Sequence, residues 1–184
     1  MPGPCRILLV SGSLRTRSIN TAALRTGLAV TPDDVEAMLY EHMADLPHFN
    51  PDDDVDPLHP AVADLRTSIG AAGAVLFSTP EYAGALPGSF KNLLDWTIGD
   101  PQAGSIYEKP VGWINPSPHG AASAIASLRT VLTYAHAEIV DDACADIPIT
   151  PAAVGEDGLV ADAAVRERLA AVLTTLAVVT ETRS

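Results

Sequence analysis

The chain has few cysteines, few aromatic residues and little positive charge. Its 184 residues include only two cysteines, Cys5 and Cys144, which stand far apart in the sequence. They fit no metal-ligand spacing. We interpret them as idle thiols in a reducing compartment, which predicts a cytoplasmic protein that holds no metal.

The deficit of positive charge limits the partners. Lys and Arg number 11 against 23 Asp and Glu, so the net charge is −12. This charge argues against nucleic acid and anionic membrane surfaces as partners. No apolar run approaches membrane-spanning length, and no basic segment precedes a long apolar one. We therefore predict neither a transmembrane segment nor a signal peptide.

The scarcity of aromatic residues determines the kind of core. Aromatic residues make up 5% of the chain and hydrophobic residues 47%, so the core must consist mainly of Ala, Leu, Val and Ile. The length is sufficient for one sizeable core, and the sequence has neither an internal repeat nor a linker. The chain is therefore predicted to be a single domain over residues 1–184.

Short apolar runs alternate with stretches of helical spacing. Strands are predicted at residues 7–10, 35–40, 74–78 and 111–115, with a last strand region shared by 138–140 and 145–149. Helices are predicted at about 18–30, 61–71, 89–96, 121–135 and 161–180. Uniformly apolar strands are typical of parallel sheets covered on both faces. The pattern predicts an α/β three-layer sandwich with a flavodoxin-like five-stranded parallel sheet in the order 2-1-3-4-5.

The first strand leads directly into a polar turn. This turn contains Ser13, Arg15 and Arg17, and a helix begins near Ser18. A strand, a tight turn and a helix start make an anion site, because unpaired N–H groups and the helix dipole face the turn. Hydroxyls, the two guanidinium groups and the amide of Asn20 are suited to phosphate oxygens, and the turn contains no carboxylate.

The residues of this turn exclude several well-known phosphate-binding motifs. The turn lacks the closing Gly-Lys-Ser/Thr of a Walker loop. It also lacks the three glycines of a dinucleotide fingerprint, since only Gly12 is present, and no arginine stands where a cysteine phosphatase needs one. The remaining interpretation is a site for a terminal phosphate such as that of FMN. The alternative is an ordinary strand-to-helix connection with Ser18 as N-cap.

Two further loops leave the predicted sheet at the same edge. Residues 79–88 form a Pro- and Gly-rich loop after the third strand, and residues 116–120 follow the fourth. Ligands of such sheets bind beyond the carboxyl ends of the strands. A third stretch, 44–60, contains an acidic run that loosely resembles a calcium loop. It lacks the central Gly and the closing Glu, so we predict a surface loop without metal.

Two motifs resemble those of a known family. The sequence Gly-Ser-Leu-Arg at 12–15, followed by Ser18 and Asn20, resembles the phosphate loop of the NADPH-dependent FMN reductases. The sequences Thr-Pro-Glu-Tyr at 79–82 and Pro-Gly-Ser-Phe-Lys-Asn-Leu-Leu-Asp-Trp at 87–96 resemble its second signature. That family includes flavin, quinone, azo-dye and chromate reductases.

The resemblance implies a set of binding residues for FMN. The phosphate would be held by Ser13, Arg15, Ser18 and Asn20. The ring would lie along Pro80, Glu81, Tyr82, Ala83 and Gly84, and would be flanked on its other side by Ser117, His119 and Gly120. The family often has Asn at position 83, Ser or Thr at 85 and Gly-Gly-Arg at 121–123, where this chain has Ala, Ala and Ala-Ala-Ser.

The predicted activity is that of an FMN-dependent NAD(P)H oxidoreductase. Hydride would pass from NADPH or NADH to FMN and on to a small acceptor such as a quinone, free flavin or azo dye. FMN itself carries this chemistry, so no catalytic acid or base is expected. The alternatives are a flavodoxin-like electron carrier without an NAD(P)H site and a phosphate-binding domain without flavin. Arg15 and the small ring-side residues favour the reductase, because such carriers tend to have Thr-rich loops and bulky aromatic shields.

Individual side chains allow more than one role. Tyr82 either lines the mouth of the pocket or packs in its loop, and His119 either contacts the flavin or caps a turn. Glu81 is interpreted as structural, since a free carboxylate facing flavin would disfavour its reduction. Backbone N–H groups of loop 117–120 and of the fourth helix start are candidates for stabilising the negative charge of reduced flavin.

The helix from Ser89 to Trp96 predicts an association surface. It contains more apolar bulk than one buried face requires, namely Phe90, Leu93, Leu94 and Trp96. Members of the resembling family pair through this region. We therefore expect a homodimer or homotetramer.

Overall fold

The computed structural model describes residues 5–98 and 104–182. Five parallel strands form one sheet in the order β2-β1-β3-β4-β5, as predicted. The strands are β1 Cys5–Ser11, β2 Val35–Tyr40, β3 Ala74–Ser78, β4 Pro110–Asn115 and β5 Glu138–Asp146. The helices are α1 Ile19–Ala29, α2 Pro60–Ala71, α3 Gly88–Asp95, α4 Ala122–Tyr134 and α5 Ala163–Glu181.

The central strands have two buried faces. In β1, Leu8 and Val10 pack with residues of α2, α3 and α4, whereas Ile7 and Leu9 pack with residues of α1 and α5. Each of these four side chains is almost completely buried, which is worth about 1.5–3 kcal/mol per side chain. The sheet is therefore the middle of three layers, and the predicted flavodoxin-like α/β sandwich is confirmed.

The last strand differs from the prediction. β5 is one continuous strand through Asp141 and Asp142, rather than two pieces on either side of these residues. Its pairing with β4 shifts register between Val111 and Trp113. β5 is an edge strand, so the carboxylates at the shift remain exposed to solvent. The adjacent acidic residues therefore do not interrupt the strand.

The apolar residues of the α3 region are covered by the chain itself. The indole of Trp96 packs edge-on against the ring of Phe49 and donates to the Pro47 carbonyl at 2.9 Å. The amide of Asn92 accepts from the Phe49 N–H at 2.7 Å and donates to the same Pro47 carbonyl at 2.9 Å. The buried apolar residues of this region are Phe90, Leu93, Leu94 and Trp96. The apolar residues that suggested a subunit contact are therefore buried within the chain itself.

The two cysteines are free thiols. Burial raises the pKa of Cys5 above its usual range and that of Cys144 to about 11, so both remain protonated thiols at neutral pH. Neither is therefore suited to act as a nucleophile. Among the described residues, no helix is both long and apolar enough to cross a bilayer.

Candidate functional site

A cleft of about 530 Å³ lies beyond the carboxyl ends of β1, β3 and β4. Its volume is within the usual range of small-molecule sites. Three loops line it, at the places where the sequence predicts a site. Of the predicted site residues, the cleft brings together Ser13, Arg15, Ser18, Asn20, Pro80, Glu81, Tyr82, Ser117, His119 and Gly120.

The first loop begins with a close approach of backbone to core. The Gly12 N–H donates to the Ser78 carbonyl at 2.7 Å, which joins the ends of β1 and β3. A Cβ at position 12 would lie 2.6 Å from the Thr79 hydroxyl and 2.8 Å from the ring of Phe90. Only glycine lets the first loop leave the sheet along this path.

Hydroxyl groups hold the first loop together. The Ser11 hydroxyl accepts from the Ser13 N–H, and the Ser13 hydroxyl accepts from the Arg15 N–H, each at 3.3 Å. The Ser18 hydroxyl accepts from the Thr21 N–H at 3.4 Å, so Ser18 is the N-cap of α1. A hydroxyl that accepts one bond can still donate its hydrogen. The capping role of Ser18 is therefore compatible with a further bond to an anion.

Several donors in the first loop remain unused. The backbone N–H groups of Thr16, Arg17, Ile19 and Asn20 donate to no other described residue. The guanidinium groups of Arg15 and Arg17 likewise form no ion pair within residues 5–98 and 104–182. Of these residues, Arg15, Ile19 and Asn20 line the cleft, whereas Thr16 and Arg17 do not. The free donors of Arg15, Ile19 and Asn20, together with the dipole of α1, form a positive cradle on a molecule of net charge −12.

Asn20 is buried, with 4% of its surface exposed, and lines the cleft. Its side-chain oxygen accepts from the Ser78 hydroxyl at 3.0 Å, which leaves the amide NH₂ as a donor for a ligand. Ser78 was not predicted as a site residue. The available signal was a polar residue closing an otherwise apolar buried strand.

The second loop contains a tight turn. Tyr82 and Ala85 exchange both backbone hydrogen bonds, at 3.0 and 3.1 Å, around Ala83 with φ 50° and Gly84 with φ 72°. Two consecutive left-handed residues are the geometry of a type I′ turn. Ala83 and Gly84 were expected along the ring, but they form the tip of this turn and do not line the cleft. The adjacent Tyr82 lines the cleft and is 45% exposed, which agrees with a place at its mouth.

Ala83→Gly is expected to stabilise the protein by about 0.5–1 kcal/mol. A left-handed conformation costs a non-glycine residue about 1–2 kcal/mol, and the greater backbone entropy of glycine in the unfolded chain offsets part of the gain. Urea unfolding of the apoprotein measures this difference. The control is Ala85→Gly at the other end of the turn, where φ is not positive. That control is expected to destabilise the protein, and equal losses in both variants would contradict the prediction.

The third loop is held by Asn115 at the end of β4. Its side-chain oxygen accepts from the Ser117 N–H at 3.2 Å, and its amide nitrogen donates to the Asp146 carboxylate at 2.8 Å. Asn115 thus caps this turn, a role that was considered for His119 from the sequence. The ring of His119 is exposed and forms no hydrogen bond or ion pair with another described residue. Asn115 was not predicted as a site residue, although it also closes a buried apolar strand.

Glu81 connects the second loop to α4. Its carboxylate accepts from the N–H groups of Ser123 at 3.0 Å and Ala124 at 3.1 Å. The residue at the N-cap of α4, Ala121, makes no side-chain capping bond. The structural interpretation of Glu81 is therefore right. Those two N–H groups, considered as donors to reduced flavin, already have a partner.

A family model described as NADPH-dependent FMN reductase matches residues 5–149. The chain belongs to this family. The match includes the three loops of the cleft. The resemblance stated from the two sequence motifs is thus confirmed.

Two proteins similar to this chain are described as reductases. A probable NADPH:quinone oxidoreductase of rice, Oryza sativa subsp. japonica, is 39% identical over 98 residues, which span 52% of this chain and 48% of the rice protein. An NAD(P)H-dependent FMN reductase of Pseudomonas aeruginosa is 34% identical over 136 residues, 73% of this chain and 72% of that protein. The chain thus spans about half the length of the rice relative and nearly three quarters of the bacterial one.

A solved structure extends the similarity over the whole fold. FerB, a flavoenzyme NAD(P)H:(acceptor) oxidoreductase from Paracoccus denitrificans, superposes with a TM-score of 0.76 at 29% sequence identity. The superposition covers 97% of this chain and 98% of FerB.

This family member has a second cleft on the outer side of the first loop. It measures about 710 Å³ and shares Arg15, Ser18 and Ile19 with the first cleft. Of these two clefts, Arg17 lines only the outer one, as does Glu156 of the segment that follows β5. Arg15 therefore borders both clefts, whereas Arg17 does not border the predicted cofactor cleft.

Proposed function

We propose that the protein reduces small acceptors such as quinones, free flavins or azo dyes with electrons from NADPH or NADH, through bound FMN. As a member of its family it is an oxidoreductase with FMN as cofactor and NAD(P)H as co-substrate. The observation that carries the proposal is the cradle of unpaired N–H groups beside Arg15, which opens into a cleft at the switch point of the sheet.

The cleft suggests how FMN is held. Ser13, Arg15, Ser18 and Asn20 would bind the phosphate, because their free donors lie at the α1 end of the cleft. The ring would then lie towards the other end, lined by residues 80–82 and 117–120. The residues expected at the ring are Pro80, Glu81, Tyr82, Ser117, His119 and Gly120.

When bound, FMN supplies hydride acceptance from the nicotinamide and electron transfer to the acceptor. The protein's part is to bind and orient. Glycine and alanine residues at 120–122 occupy little space on the ring side, which favours an open face on which nicotinamide and acceptor stack in turn. This chemistry needs no acid or base, so we assign no catalytic side chain.

The decisive test is optical. The purified protein, loaded with FMN, should be yellow, and anaerobic addition of NADPH or NADH should bleach the flavin absorbance. Adding a quinone, a free flavin or an azo dye should then restore the colour. A yellow protein that bleaches with dithionite but with neither nicotinamide would instead be an electron carrier. A protein that binds no flavin would contradict the proposal.

We further propose that residues 1–184 form one FMN-binding domain. In support, α5 begins after the family match ends, yet Leu169 and Leu173 pack with Ile7 and Leu9 of β1. We also propose a cytoplasmic location, which the free thiols support.

We propose a homodimer or homotetramer that includes the α3 region and the mouth of the cleft. The apolar residues of α3 no longer support this association, because they are buried within the chain. Support comes instead from Tyr82, a large aromatic side chain at the mouth of the cleft that is 45% exposed. Sedimentation velocity at micromolar protein should give a dimer or tetramer, and a monomer would contradict this proposal.

A further inference from the structure

The α4 helix is capped from a distant part of the chain. α1, α2 and α5 are each capped by the residue directly before them, which are Ser18, His59 and Asp162. α4 has Ala121 at this position, and its N–H groups at Ser123 and Ala124 instead bond to Glu81. The capping group is therefore a full negative charge contributed by the second loop.

This contact lies in the wall of the cofactor cleft. Glu81, Ala122 and Ser123 all line it on the side of the second loop and α4, whereas the phosphate cradle lies at the start of α1. A helix N-terminus with free N–H groups carries about half a positive charge and attracts anions. The Glu81 carboxylate carries a full negative charge, which outweighs the half positive charge of the α4 N-terminus, whereas Arg15 supplies positive charge beside α1.

We infer that Glu81 is a positioning residue that sets the redox balance of the site. It occupies the α4 N–H groups that could otherwise stabilise added negative charge on the ring. It thereby makes reduced FMN bind less tightly, relative to oxidised FMN, than the same cleft would without the carboxylate. The result favours passing electrons on to the acceptor rather than retaining them. This inference rests on the proposed function.

The overall exchange balances without any further reactant. NAD(P)H loses a hydride, which is two electrons and one proton, and becomes NAD(P)⁺. A quinone gains the two electrons, that proton and a second proton from water, and becomes the hydroquinone. Glu81 keeps its bonds to the α4 backbone throughout, so its contribution is electrostatic.

Glu81→Gln tests the charge with the hydrogen bonds retained. The glutamine oxygen can accept from the same two N–H groups, but the negative charge is gone. We expect reduced FMN to gain about tenfold in affinity relative to oxidised FMN. For a two-electron couple, this raises the midpoint potential by about 30 mV. Spectroelectrochemical titration of the FMN-loaded protein against a reference dye measures the shift.

The matched control is Glu156→Gln, which removes a carboxylate that lines only the outer cleft. It should leave the midpoint potential unchanged. Glu81→Ala should raise the potential at least as much as Glu81→Gln, because it also frees the two α4 N–H groups. It should lower the melting temperature of the apoprotein as well, because the cap is lost.

Several outcomes would overturn the inference. A Glu81→Gln potential equal to that of the wild type would make Glu81 only a cap of α4. Loss of oxidised FMN from the same variant would make Glu81 part of the binding of both redox forms. Neither outcome affects the proposed function, which depends on bleaching of the wild-type protein by NADPH or NADH.

Discussion

Arg15→Ala is expected to weaken FMN binding about tenfold to a hundredfold and to leave the fold intact. Arg15 is exposed, forms no ion pair with another described residue, and borders the cradle of free N–H groups. A hydrogen bond to a charged group is worth about 1.5–3 kcal/mol, and each 1.4 kcal/mol is a factor of ten in affinity. Titrating the apoprotein with FMN, followed by quenching of flavin fluorescence, measures the loss.

Two controls make the Arg15 result specific. Riboflavin lacks the phosphate, so its affinity should be nearly the same for Arg15→Ala and the wild type. Arg17→Ala removes an arginine two residues away that lines only the outer cleft, and it should change FMN affinity far less. Unchanged FMN affinity in Arg15→Ala, or an equal loss in Arg17→Ala, would count against the assignment of the phosphate cradle.

Gly12→Ala is expected to destabilise the apoprotein by about 1–3 kcal/mol, as inserting a methyl group into a well-packed region typically does. The new Cβ would lie within 2.8 Å of the Phe90 ring and closer still to the Thr79 hydroxyl. Both neighbours are buried, so neither has solvent to move into. At about 2–4 °C per kcal/mol for a chain of this size, the melting temperature should fall by several degrees.

The control for this variant is Gly27→Ala within α1. Its Cβ would meet only a Leu173 methyl, at 4.0 Å, which is ordinary contact. Glycine inside a helix costs about 0.5–1 kcal/mol relative to alanine, so this variant should be more stable than the wild type. FMN affinity should fall in Gly12→Ala, because the first loop must shift, and stay unchanged in Gly27→Ala. A Gly12→Ala protein as stable as the wild type would show that the approach of β1 to Phe90 is not tight.

Much of the fold could be predicted because each strand and each helix has its own recognisable pattern of apolar residues. Apolar runs such as residues 74–77 of β3 are strands buried on both faces, and the helical stretches between them require crossover connections. Strand β5 was harder to predict. Whether Asp141 and Asp142 break a strand depends on whether that strand lies at an edge, which is decided by its neighbours in space.

The first loop of the site could also be predicted, because its donors are contiguous in sequence. The hydrogen-bond partners of Glu81 could not be predicted, because these N–H groups lie more than 40 residues later in the sequence. The same holds for α3. The apolar residues of α3 were expected to contact another subunit, because the sequence around them does not indicate that Phe49 and Pro47 pack over Trp96.

The link from β3 to the first loop has a consequence for how the cofactor enters. Ser78 binds Gly12 through its carbonyl and Asn20 through its hydroxyl, so the strand ends and the start of α1 are fixed without any ligand. A preorganised cradle of this kind loses little chain entropy when FMN arrives. Association should therefore be fast, limited by diffusional encounter rather than by loop ordering, and should slow with added salt as the arginines' attraction for the dianion is screened.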